Sequence, residues 1–259
     1  MNFNLGDFVT RKSYNNDVVF KIINISDDVV YLKGVDVRLL ADAPITDINI
    51  YNFKENKEFV VDIEDTKFER NNYFYLPGKI LHLDGDGEYL DRCLKFYKEK
   101  NVYAIGKKVK EDVMSEQIPM LLKEYKPDIL VITGHDAFNK KSGNIHDINN
   151  YKNSSNFVKA VKAARKFERS HDKLVIISGA CQSNYEELIK AGSNFASSPK
   201  RINIHALDPA IIATCVAITE KNKNIDLIDL LNKTKYGPDG MGGIICNGLM
   251  YVGFPRTWI

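Results

Sequence analysis

Two residues in this sequence have the type and setting for covalent chemistry: Cys181 and His135. Each follows an apolar run closed by small residues, Leu130-Val131-Ile132-Thr133-Gly134-His135 and Val175-Ile176-Ile177-Ser178-Gly179-Ala180-Cys181. A thiol of ordinary pKa, about 8.5, is mostly protonated at neutral pH. A neighbouring imidazole makes it a nucleophile by pairing with it or taking its proton. The chemistry so implied is acyl transfer. Cys181 N–H and an amide of the Gly134–Asp136 turn are candidates to hold a developing oxyanion, and the glycines at 134 and 179 let a substrate backbone approach. Asp136 is a candidate to orient His135. Taken alone, a cysteine is more often an inert buried hydrophobe. The repeated strand-end setting favours the catalytic reading here.

Such a pair needs elements that deliver both residues to one crevice. From Lys79 onward, strand and helix patterns alternate. Strands are expected at KILHLD, VYAIG, DILVITG, KLVIISG and INIHA. The intervening helices carry Tyr89, Cys93, Phe96 and Tyr97 on one face, then SEQIPMLLKEY behind an N-cap at Ser115, then Phe157, Val161 and Ala164 behind a cap at Ser154 or Ser155. YEELIKAG closes at Gly192, and Asp208-Pro209 opens AIIATCVAIT. The pattern predicts a parallel, doubly wound α/β sheet over residues 78–259, with Asn247-Gly248 turning a closing hairpin. Ligands of such sheets bind beyond the strand carboxyl ends. One helix separates the His strand from the Cys strand, so a right-handed crossover makes them parallel neighbours about 4.8 Å apart.

Residues 1–48 differ in texture, with short alternating strands broken by NN, SDD and KG. They predict a small SH3-like, KOW-type β-barrel. Residues 49–77 are charged and irregular and read as a linker or arm. A net charge of +2 and a charged content of 27% exclude nucleic acid as an expected partner. No apolar run approaches the roughly 18 residues needed to span a membrane, and the N-terminus lacks the apolar core of a secretion signal. Four cysteines without a CxxC pair predict neither a zinc site nor a disulfide framework. The expectation is a cytosolic chain with a free thiol, no metal and no cofactor. Cys93, Cys215 and Cys246 fall on apolar faces and read as structural. So do His82 and His205, in the first and fifth strands. His146 belongs to the long Asn- and Ser-rich loop after His135, and loops of that length tend to be functional.

An apolar block ending in His, then about forty-six residues, then an apolar block ending in Ala-Cys resembles the caspase-like cysteine peptidases. ITGHDAFNK, VIISGACQSN, ASSPKRINIHALDP and the N-terminal GDFVTRK together resemble the YabG family of sporulation-specific peptidases, over essentially the whole chain. The resemblance implies a caspase-like sheet with His135 and Cys181 as the catalytic dyad. It also implies spore coat and germination-related proteins as substrates, cleavage next to arginine, and a place in the mother-cell cytoplasm or at the spore coat. One departure is plain: the caspase-like group has Gly after its His, whereas Asp136 follows His135 and Gly134 precedes it. The amide that completes the oxyanion hole is therefore open.

Leu83-Asp84-Gly85-Asp86-Gly87-Glu88 ends the first strand of the sheet, on the expected crevice. Asp84 or Asp86 is the expected reader of a basic residue at the cleavage site (P1), through a carboxylate–guanidinium pair. As a dinucleotide loop the run fails at Leu90, and as a calcium loop at Tyr89 and Lys95. Two other functions compete. Gly179-Ala180-Cys181-Gln182-Ser183 also suits the nucleophile elbow of a thiol amidohydrolase, which would need the later His205 as its base. A non-catalytic coat scaffold needs neither. Arg70 in FERNN is an expected self-processing site.

Overall fold

A computed structural model describes residues 3–52, 63 and 72–255. The chain divides into two compact units, residues 1–60 and 61–259. Arg70 lies outside the described residues.

The first unit is an antiparallel sheet of β1 (Phe8–Arg11), β2 (Phe20–Ser26), β3 (Val29–Gly34), β4 (Leu40–Pro44) and β5 (Ile48–Ile50). The order is β4-β3-β2-β1-β5, a meander whose last strand returns to pair with the first. Val9, Phe20, Ile22, Val30, Leu32, Ala43 and Ile48 form its buried side. That set follows from period-2 alternation along each strand. β5 runs two residues past the expected boundary at 48.

The second unit begins with β6 (Phe74–Leu76), inside the stretch expected to be linker. There follow β7 (Ile80–Asp84), α1 (Gly87–Glu99), β8 (Ala104–Lys108), α2 (Met114–Tyr125), β9 (Ile129–Thr133), α3 (Ser154–Phe167), β10 (Val175–Ser178) and α4 (Tyr185–Ala191). The chain continues with β11 (Phe195–Ser197), α5 (Asp208–Ile218), α6 (Leu227–Asn232), β12 (Met241–Gly243) and β13 (Tyr251–Gly253). The main sheet has the order β12-β11-β10-β9-β7-β8 and is parallel except for the edge strand β12. β13 pairs with β6 in a separate ribbon.

Every residue of β7, β9 and β10 is buried, as strands covered on both faces require. Leu81, Leu83, Leu130, Ile132 and Ile176 pack with Ile118 and Leu122 of α2, Phe157 and Val161 of α3 and Leu188 of α4. α5 lies against β9, β10 and α1. It is apolar on all sides and buried along nearly its whole length, as befits a core helix. Among the described residues no helix is long and apolar enough to cross a membrane.

Four local expectations change. The fifth strand is Phe195–Ser197, whereas INIHA (202–206) lies outside it and passes over the Cys181 turn. Ser115 lies inside α2, which starts at the fully buried Met114. Ser154 is the first residue of α3, and its hydroxyl bonds to Asp136 instead of capping the helix. The Asn247-Gly248 hairpin does not form. Asn247 bridges to Asn224, and a Cβ at Gly248 would meet Thr219 O at 2.2 Å, so this glycine lets the chain lie on the end of α5.

Candidate active site

Strand register brings the chemistry together. Ile132 of β9 pairs with Ser178 of β10, and His135 and Cys181 each lie three residues beyond that pair. Asp84 of β7 pairs with Thr133 of β9, and Asp86 and His135 each lie two residues beyond. Three neighbouring parallel strands thus present a thiol, an imidazole and a carboxylate from the same edge. His135 Nε2 is 3.1 Å from Asp86 Oδ2, and the two side chains are only 12% and 14% exposed. The ring also meets Tyr89 edge-on, with centroids 5.7 Å apart. Asp86 is held from its other side, because Oδ1 caps α1 by accepting from Glu88 N at 2.9 Å and Tyr89 N at 3.4 Å. The N-terminal end of a helix also favours the ionised carboxylate.

A buried chain of hydrogen bonds supports Asp86 from below. Tyr97 OH bonds to His82 Nδ1 at 2.9 Å, and His82 Nε2 to Thr133 Oγ1 at 2.9 Å. Thr133 Oγ1 lies 2.9 Å from Asp84 Oδ2, while Asp84 Oδ1 accepts from Asp86 N at 2.9 Å. Asp84 is fully buried. The sequence expectation made Asp84 or Asp86 the reader of a basic P1 side chain. The geometry suits both better to holding His135, since Asp84 sits inside the fold and both oxygens of Asp86 have partners. His82 is the satisfied core histidine expected of it.

Asp136 joins the two reactive turns. Its carboxylate accepts from Ser154 Oγ at 2.5 Å, Asn153 N at 2.7 Å, Ser183 Oγ at 2.8 Å and Ala137 N at 2.9 Å. Ser183 Oγ in turn accepts from Ala180 N at 2.9 Å. One carboxylate therefore ties the His turn, the start of α3 and the Cys turn together. Burial outweighs these donors and pushes its pKa above the usual carboxylate value. Gly179 is required by space and backbone, and Gly134 leaves room for the Glu111 carboxylate. A Cβ at 134 would stand 2.3 Å from Glu111 Oε1, and one at 179, where φ is +100°, 2.4 Å from Ser197 Oγ. Several amides of these turns are committed: His135 N to Glu111 Oε1 at 2.8 Å, Ala137 N to Asp136, Ala180 N to Ser183, and Gln182 N to Ser198 Oγ and Ile202 O.

Cys181 is fully buried. Its sulfur lies 3.7 Å from Ile204 O, in the segment 198–205 that follows β11. Gln182, at φ +57°, fastens that segment: Nε2 donates to Asn203 Oδ1 at 3.0 Å and Oε1 accepts from Phe138 N at 3.2 Å. Arg201 anchors it to Glu186 and to Tyr151 OH. His205 lies at the start of α5, where Nδ1 accepts from Leu207 N at 3.2 Å. Burial pushes the thiols of Cys215 and Cys246 up to about 12, as inert core cysteines require. Glu111 escaped the sequence reading, because nothing in KVKEDV separates it from ordinary surface residues; Ser154 was expected only as a cap and Ser183 only as a small residue of the Cys181 turn.

The chain matches the family model described as YabG peptidase U57 over residues 4–66 and 51–255. It is 41% identical, over 98% of its length and 99% of the relative's, to the sporulation-specific protease YabG of Bacillus subtilis (strain 168).

Proposed function

The chain belongs to the YabG peptidase family, and from that footing we propose that it is a sporulation-associated thiol endopeptidase with Cys181 as nucleophile, His135 as base and Asp86 as the group that orients the base. The observation that carries this reading is the equal three-residue overhang of His135 and Cys181 on hydrogen-bonded parallel strands. With Nε2 directed to Asp86, Nδ1 is the nitrogen that exchanges a proton with the thiol. The thiolate attacks the scissile carbonyl carbon. Imidazolium then protonates the leaving amine as the C–N bond breaks, leaving a thioester that water, deprotonated by His135, hydrolyses.

We assign the oxyanion to Cys181 N–H together with the amide of Gly134 or Asp136, since His135 N, between those two, donates to Glu111. Spore coat and germination-related proteins, cut next to arginine, are the substrates we infer. The mother-cell cytoplasm or the coat surface is the place. The first unit, on its β5-β1-β2-β3-β4 order, we take as an SH3-like barrel. The amidohydrolase alternative loses support, because its required base, His205, is engaged by a backbone amide at the start of α5.

The test is cleavage of coat proteins and fluorogenic peptides by wild type, Cys181→Ala and His135→Ala. Cleavage by wild type alone is expected, with loss of about 10³-fold or more in each variant. Undiminished processing by Cys181→Ala sinks the thiol mechanism, and loss with His205→Ala but not His135→Ala favours the amidohydrolase.

A further inference from the structure

We propose that Glu111 is the residue that reads a cationic P1 side chain, an assignment that rests on the thiol-peptidase reading and deepens it. Glu111 follows β8, and its carboxylate stands over β7 and β9, the two strands that carry Asp86 and His135. Its Oε1 accepts from His135 N at 2.8 Å. Two glycines clear the niche in which it lies. A Cβ at Gly85 or at Gly134 would each stand 2.3 Å from Oε1, so a side chain at either position would expel the carboxylate from this edge. An acid is thereby seated on the backbone amide of the base itself, at the carboxyl-end edge of the sheet.

What singles out Glu111 is its unfinished hydrogen bonding. It is half-buried, and among the described residues His135 N–H is its single donor. A partly desolvated carboxylate with one donor gains from a cationic partner. A guanidinium supplies paired N–H donors in the planar geometry that carboxylate oxygens accept, and an ammonium supplies a point charge. The neighbouring acids are differently placed. Asp84 is fully buried beneath the site, and Asp86 is divided between the N-cap of α1 and His135. Its place on the backbone of the base is what assigns Glu111 to the residue whose carbonyl is attacked in this proposal.

Charge reading and simple bracing of His135 separate by experiment. Glu111→Gln keeps an oxygen that accepts His135 N–H but loses the charge. Full-length wild type and Glu111→Gln are assayed on paired peptides with arginine or citrulline at P1, citrulline being its neutral isostere. Wild type is expected to prefer arginine by a factor on the order of 100 in kcat/KM. Glu111→Gln is expected to bring that ratio to within a few-fold of one, mainly through the arginine peptide. A ratio in Glu111→Gln equal to wild type, or a wild type without preference, overturns the assignment and leaves the thiol mechanism standing. Equal losses on both peptides identify a brace and also overturn it. Absence of any Cys181-dependent cleavage removes the underlying reading as well.

Discussion

Asp86 is the residue whose proposed role departs most from its sequence expectation. A carboxylate expected at the substrate instead faces the imidazole at 3.1 Å while capping a helix through its second oxygen. The two duties can be separated, because asparagine also caps helices well. Asp86→Asn should therefore fold with a melting temperature close to wild type. Its kcat should fall by about 10²- to 10⁴-fold, since an amide neither stabilises the imidazolium nor fixes the same tautomer. Melting curves beside steady-state kinetics check both parts, and a wild-type kcat in the folded variant would remove Asp86 from the mechanism. Asp136 shows a different use of a carboxylate at close range. Its four donors are spread over two turns and a helix start. It fixes how the two turns lie.

Among the elements, the segment 198–205 lies against the buried thiol, with Ile204 O 3.7 Å from the sulfur. It follows a strand of only three residues, and its alternating Ile202 and Ile204 imitate a strand in the sequence. In the fold the carbonyls of those two residues face the Cys181–Gln182 turn. A segment held by a few polar contacts opens at lower cost than the core beneath it. The Gln182 side chain supplies one of those contacts, to Asn203, and ties it to the loop after β9 by accepting from Phe138 N. Gln182→Ala should accordingly raise the rate of Cys181 alkylation by iodoacetamide several-fold without loss of the fold. Mass spectrometry of the labelled peptide follows it. An unchanged rate would mean that the segment is not gated by this side chain.

For the whole molecule, the division at residue 60 separates an antiparallel meander from the sheet that carries all of the proposed chemistry. Each unit has its own buried set, Phe20 and Leu32 in one and Leu83, Ile132 and Ile176 in the other. A unit with its own core is able to fold by itself. Residues 61–259 produced alone should unfold cooperatively and cleave small peptides with kcat/KM within a few-fold of the full chain. Loss of folding in that fragment, seen by thermal melting, would show that the second unit depends on the first.

The apolar blocks ending at His135 and Cys181 made the parallel strands and the adjacency of those two legible in the sequence, because buried strands are written as continuous apolar runs; the proposed pair at their ends rests on that topology. The cap, strand and hairpin expectations at Ser115, INIHA and Asn247-Gly248 did not hold. Each rested on a local signal that a neighbouring surface outweighed: the buried Met114, the Cys181 turn and the end of α5. Division of labour among the acids was likewise decided only in three dimensions. Asp84, Asp86, Glu111 and Asp136 are alike as letters. Strand register and two glycine niches gave one the interior, one the imidazole, one the rim and one the joint between turns. Such contacts join residues up to about fifty positions apart, as with Asp86 and His135, and local sequence pattern carries no record of them.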